Sequence, residues 1–146
     1  METRKNFKIT SITVLVLAFA AFIKLLTGLF FEDMSSAGNV DADAVFATQI
    51  ILLVLSSVLL LPRIYVGVKG LIVAKDPSGR SNGHIIWAII LLVLSIMSVF
   101  DPVVAMINKE SVAQNLPSLA ISILEASVYF AYIKYGKAVL KEADQE

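Results

Sequence analysis

The sequence predicts an all-α fold, a bundle of four transmembrane helices with the N-terminus and C-terminus both cytoplasmic. Three observations predict it. Hydrophobic residues make up 58% of the 146 residues and charged residues 16%, and mean hydropathy is +0.82. Soluble domains run near half apolar and a quarter charged. The apolar residues fall into four stretches of spanning length. The lysines and arginines gather at one end of those stretches.

The first stretch runs from Phe7 to Phe31, with Lys24 as the charge in its interior. Arg4, Lys5 and Lys8 followed by Ala18-Phe19-Ala20 imitate a signal peptide and its cleavage site. The apolar run continues well beyond the length of a signal core, so an uncleaved first helix is expected. The second stretch runs from Ala44 to Ala74, with Pro62, Arg63 and Lys69 in its later half. Proline removes a helix hydrogen bond and favours a kink. The span is therefore placed at 44–61, with a cytoplasmic extension to 74 that puts Arg63 at the inner surface. The third stretch runs from His84 to Ile107 and the fourth from Leu116 to Leu140. A hydrocarbon core of about 30 Å needs roughly 20 helical residues. Strands would show strict alternation, which is absent. The whole chain, 1–146, reads as one transmembrane domain.

The connections are short. Glu32 to Asp43 carries acidic residues and no basic one. Asp76-Pro77-Ser78-Gly79 suits a type I turn, with Ser81 or Asn82 available to cap the third helix. Pro117 is expected in the first turn of the fourth helix. Ten lysines and arginines, from Arg4 to Lys141, belong to one side. The positive-inside rule makes that side cytoplasmic. Tyr65, Trp87, Tyr132 and Tyr135 fall at the same boundary, as an aromatic belt would. The setting expected is a bacterial cytoplasmic membrane, with the lipid bilayer as first partner.

Each of the four stretches places a charged or amide residue in its outer half: Lys24, Gln49, Asp101 and Glu125. At 1.5 Å per residue their depths agree within about 6 Å, in the outer half of the membrane. A charge at mid-membrane costs roughly 2.5–3.5 kcal/mol on insertion scales, so such groups turn inward and pair. Lys24 with Glu125, or Lys24 with Asp101, is the pair expected. Three readings stay open: a structural ion pair that fixes helix register, a proton, cation or substrate step at Glu125 and Asp101, or contact with a partner subunit. Ser118, Ser122, Glu125, Tyr129 and Tyr132 follow at steps of three and four, which gives the fourth helix a polar face. That face suits an inter-helix packing seam or the wall of a hydrated groove. Gln49 and Glu125, and Lys24 and Asp101, sit at matching places in successive hairpins, which raises an internal repeat.

Much chemistry is excluded. Without cysteine there are no disulfides, thiolate catalysis or Cys-ligated zinc. Gly79-Arg80-Ser81 lacks the earlier glycine and the lysine of a phosphate loop. His84, the only histidine, has no second ligand nearby and reads as interfacial. No catalytic residue, metal site or cofactor is expected, and the zero net charge gives no case for nucleic acid. In helix count and size the chain resembles the small multidrug-resistance transporters. They carry an essential glutamate in the first helix, where Lys24 stands here, so no role transfers. The reading is a non-enzymatic accessory, regulatory or scaffolding membrane protein acting through helix–helix association, with itself or another membrane protein. The alternative is a small proton- or cation-coupled transporter or channel built on the outer polar cluster.

Overall fold

A computed structural model describes residues 2–27, 42–77, 82–108 and 112–145. Their regular structure is entirely helical: α1 (Glu2–Thr27), α2 (Ala42–Lys75), α3 (Gly83–Met97), α4 (Phe100–Ile107) and α5 (Val112–Ala143). Among the described residues, three helical stretches are long and apolar enough to cross a membrane: Glu2–Thr27, Gly83–Ile107 and Asn115–Ala143. The acidic connection before α2, Ser78 to Ser81 and Lys109 lie outside the described residues, as do the side chains of Gln49 and Ser56.

The prolines act in three ways. Pro102 separates α3 from α4. Its ring clashes with the carbonyl four residues earlier and offers it no N–H. That carbonyl belongs to Ser98, where α3 ends. Val99 N–H instead bonds the Ile96 carbonyl at 3.1 Å, the tighter three-residue step found at helix ends. Pro62, by contrast, lies inside an unbroken α2. Pro117 lies inside α5 rather than in its first turn, because α5 starts at Val112. Asn82 holds the N-cap position of α3 without a side-chain cap; its backbone carbonyl accepts from Ile85 and Ile86.

Hydroxyls inside these helices are satisfied locally. Ser11 donates to the Phe7 carbonyl at 2.8 Å, Thr13 to Ile9 at 3.0 Å, Ser57 to Leu53 at 2.7 Å and Ser127 to Ile123 at 2.8 Å. This back-bonding supplies an acceptor where water is absent.

The helices form a ring. α1 packs beside α2 and α5, and α3 packs beside α5 and α2. α4 continues α3 along α5, and α2 and α5 face each other across the centre, where they touch little. The packed core is concentrated towards one end. It contains Phe7 and Val14 of α1, Val66 and Val73 of α2, Ile85, Ala88 and Leu91 of α3, and Tyr129, Tyr132 and Val139 of α5. These positions belong to the start of α1 and α3 and the end of α2 and α5. The opposite end presents apolar side chains outward, among them Phe19, Ile51, Phe100 and Leu116.

Glycine allows the tight end to close. A Cβ on Gly70 would stand 2.6 Å from the Tyr132 hydroxyl and collide with Ser11 Oγ. One on Gly136 would stand 2.6 Å from Ile85 Cδ1 and 3.0 Å from Phe7. Lipid tails are as apolar as leucine, so close packing and hydrogen bonds, rather than the hydrophobic effect, hold such helices together.

Candidate functional site

One ion pair crosses the centre of the ring. Arg63 of α2 donates to both carboxylate oxygens of Glu125 of α5, Nη1 to Oε1 at 2.9 Å and Nη2 to Oε2 at 3.1 Å. The two side chains are only 23% and 12% exposed. This parallel fork is the geometry for which guanidinium is better suited than ammonium. At an effective dielectric of 20, unit charges at this separation attract by about 6 kcal/mol before desolvation is counted.

The depth of the pair follows from the contacts below it. Gly70 meets Ser11 and Tyr132, and Gly67 meets Leu15. Arg63 is two turns further along α2, about 10 Å beyond Gly70 at 1.5 Å per residue. That places it level with Ala18 of α1. Ala18, Ser95 of α3 and Glu125 all lie well inside their apolar stretches, far from either end.

The expected partnership is therefore corrected. Glu125 has Arg63, not Lys24, on its carboxylate. Lys24 is exposed near the end of α1, and Asp101 is exposed in the first turn of α4. A carboxylate in a helix's first turn is favoured by the helix dipole, which gives Asp101 a local role. Arg63, expected at the inner surface, lies within an unbroken α2 that runs on through Pro62, and it faces Glu125 of α5. A helix of 34 residues measures about 50 Å, so the helix itself does not end at Pro62. The signal in the sequence is the need of Glu125 for a bidentate cation at its own depth.

The polar face of α5 turns inward over most of its length. Ser122, Tyr129 and Tyr132 are buried, while Ser118 is exposed. Ser98 donates to the Ser122 hydroxyl at 3.1 Å, tying the end of α3 to α5. Tyr132 donates to the Val66 carbonyl at 2.7 Å, a second bond across the diagonal. Tyr132 thus belongs to the core rather than to an interfacial belt; Trp87 and Tyr65 are exposed. Tyr129, one turn from Glu125, is 1% exposed, and its hydroxyl has no hydrogen-bond partner among the described residues.

His84 also departs from expectation. It is 0% exposed, edge-on to Tyr132 at 6.0 Å between ring centroids and 6.2 Å from Phe7. Phe7 and Tyr132 stack tilted at 4.9 Å, so three aromatic rings plug the tight end of the bundle. Interfacial depth alone suggested exposure; the close approach allowed by Gly136 and Gly70 provides the burial.

Gly67 and Gly70 are spaced by three residues rather than the four of Gly-x-x-x-Gly, a spacing that by itself argues against a close-packing motif. Their partners Ser11 and Leu15 show the same close-approach physics at a three-residue step. Among the described residues no group of three or more histidine, aspartate or glutamate side chains could hold a metal ion. No protein-family model, curated protein or solved structure matches this chain.

Proposed function

We propose that the chain is a multi-pass membrane protein of four crossings, with both termini cytoplasmic, that acts without catalysis. It works by helix–helix association, as an accessory, regulatory or scaffolding subunit in a bacterial cytoplasmic membrane. α2 supplies the fourth crossing: Ile50 to Leu61 is apolar throughout apart from Ser56 and Ser57. The gathering of lysine and arginine at one end supports the orientation.

One observation carries the association reading. In each of the three spanning stretches, only 17% of the most apolar window is buried inside the bundle. Lys24 and Asp101 stand exposed in the same outer region as Phe22, Met97 and Phe100. Charges facing hydrocarbon are costly, and a neighbouring helix would cover them. The alternative transporter reading, as built on Lys24, Gln49, Asp101 and Glu125, draws no support from a side chain that Arg63 already engages.

The absence of cysteine makes the test direct. Single cysteines replace exposed Phe22, Val54, Phe100 and Phe130 in turn, and a short bis-maleimide is applied to intact membranes at native expression. The proposal predicts a discrete product of at least twice the monomer mass from one or more positions on one face. Monomer alone from all four faces contradicts it.

A further inference from the structure

A groove runs along the outside of the seam between α1 and α2. It has a volume of about 410 Å³ and is lined by Leu15, Phe19 and Phe22 of α1 and by Leu60, Leu61 and Ile64 of α2. We propose that it holds one tail of an anionic phospholipid, with the lipid phosphate between Lys8 and Lys75 at the basic end of the bundle. The inference needs the membrane setting proposed above but not the association reading.

The lining selects a hydrocarbon chain. Ser57 supplies the hydroxyl in the wall, and it already donates to the Leu53 carbonyl at 2.7 Å. The groove therefore offers a polar ligand little to hold. Its walls stand out from the bundle, with Phe19 65% and Leu61 61% exposed. A packing helix needs small residues that let two backbones approach, and these bulky walls keep one off. A thin, flexible chain fits between them. From Leu15 to Phe22 the groove measures about 10 Å along α1.

Charge places the headgroup. Lys8, Leu15, Phe19 and Phe22 recur at steps of seven, four and three, so they share one face of α1. Ile64, Val68, Leu71 and Lys75 share a face of α2 at steps of four, three and four. Gly70 meets Ser11 and Gly67 meets Leu15, an antiparallel register that sets Lys75 within a turn of the level of Lys8. Both lysines are exposed, and among the described residues neither forms a salt bridge. The charges at this end of the two helices are Arg4, Lys5, Lys8, Lys69 and Lys75 against Glu2 and Asp76. Such basic sites between spanning helices suit anionic headgroups. The segment that follows α1 carries Glu32, Asp33, Asp41 and Asp43 and no cation, which disfavours an anionic lipid rooted from that side. Ile12 and Val68, 45% and 43% exposed, keep the way from Lys8 to the groove apolar. Along α1, Leu15 is about 10 Å and Phe22 about 21 Å beyond Lys8. One leaflet of hydrocarbon is about 15 Å deep, so a tail rooted at Lys8 ends inside the groove. Lys24, nine residues after Leu15, points to the opposite side of α1, so a partner covering it would leave the groove open to lipid.

The test uses the full-length protein in phosphatidylcholine vesicles that contain a minor share of phosphatidylglycerol. One lipid or the other carries a diazirine near the end of its tail. Light links that tail to what it touches, and mass spectrometry of the peptides maps the adducts. The exposed face of α3, with Ile86, Ile90 and Val93, gives the yield for bulk lipid. Relative to that face, the phosphatidylglycerol probe should label residues 15–22 and 57–64 at least fivefold more than the phosphatidylcholine probe. Lys8→Gln/Lys75→Gln, at exposed positions, should bring the two probes level. Ile64→Trp, which fills the groove from its rim, should lower groove labelling by threefold or more and leave α3 unchanged. Equal groove labelling by the two probes in wild type overturns the proposal, as does a phosphatidylglycerol preference that survives the loss of both lysines. A groove that is shielded from both probes by a second copy of the chain overturns it equally. Absence of adducts on α3 as well would overturn the membrane setting, and the proposal with it.

Discussion

Removing one member of the central ion pair should harm the protein more than removing both. In Arg63→Met the Glu125 carboxylate loses both of its donors while remaining mostly buried. In Glu125→Leu the guanidinium is stranded in the same way. A buried pair broken on one side costs about 3–5 kcal/mol. The residual exposure of 23% and 12% places this case at the lower end, about 3 kcal/mol for either single change. In Arg63→Met/Glu125→Leu no charge remains, and replacing a buried pair by apolar residues of similar volume is often neutral or stabilising by about 1–4 kcal/mol. The double variant should thus lie within about 1 kcal/mol of wild type, with a coupling energy of about 6 kcal/mol between the sites. Unfolding of the reconstituted protein by a graded mixture of denaturing and mild detergent reads these differences. Additive losses, with the double variant near 6 kcal/mol below wild type, would refute the claim that the two side chains depend on each other. The same cycle run on Lys24 and Glu125 should show no coupling.

Two further changes probe the tight end and the break between α3 and α4. Gly70→Ala should destabilise by about 1–3 kcal/mol, because its methyl collides with Tyr132 and Ser11. Combining it with Ser11→Ala, which removes the Oγ that the methyl meets most closely, should recover part of the loss, as read in the same detergent titration. Gly67→Ala should be milder, since the flexible Leu15 side chain is the group it meets. Pro102→Ala restores an N–H for the Ser98 carbonyl and should join α3 to α4. Hydrogen exchange at residues 98–103 should slow, and unchanged exchange there would mean that proline does not cause the break.

The helical class was legible because hydrocarbon length and backbone satisfaction leave few choices, and both are written in run lengths of apolar residues. The inward turn of Ser122, Tyr129 and Tyr132 was legible from their helical spacing. The partner of Glu125 was not. Proline signals a break at position 62 and so separates Arg63 from the apolar run in the sequence, whereas α2 is continuous through Pro62 and carries Arg63 to Glu125. The burial of His84 was equally hidden, because it depends on how closely α1, α3 and α5 approach. That distance is set by Gly136 on α5 and by Gly70 on α2, beyond the reach of the local pattern around His84. Lys24 and Asp101 share a depth with each other but stand exposed, which shows that depth alone does not make a cluster; angular position around the ring must agree too.

The four-crossing bundle rests most heavily on α2, whose passage through the membrane decides where the chain emerges. Single cysteines at 2, 36, 82, 110 and 144 can be labelled in intact cells with a membrane-impermeant maleimide, then again after the membrane is opened. The account predicts labelling of 36 and 110 from outside, and of 2, 82 and 144 only once the inner face is reached. Labelling of 36 and 82 from the same side would leave α2 lying along the surface, put the two termini on opposite faces, and remove the Arg63–Glu125 pair from the middle of the membrane.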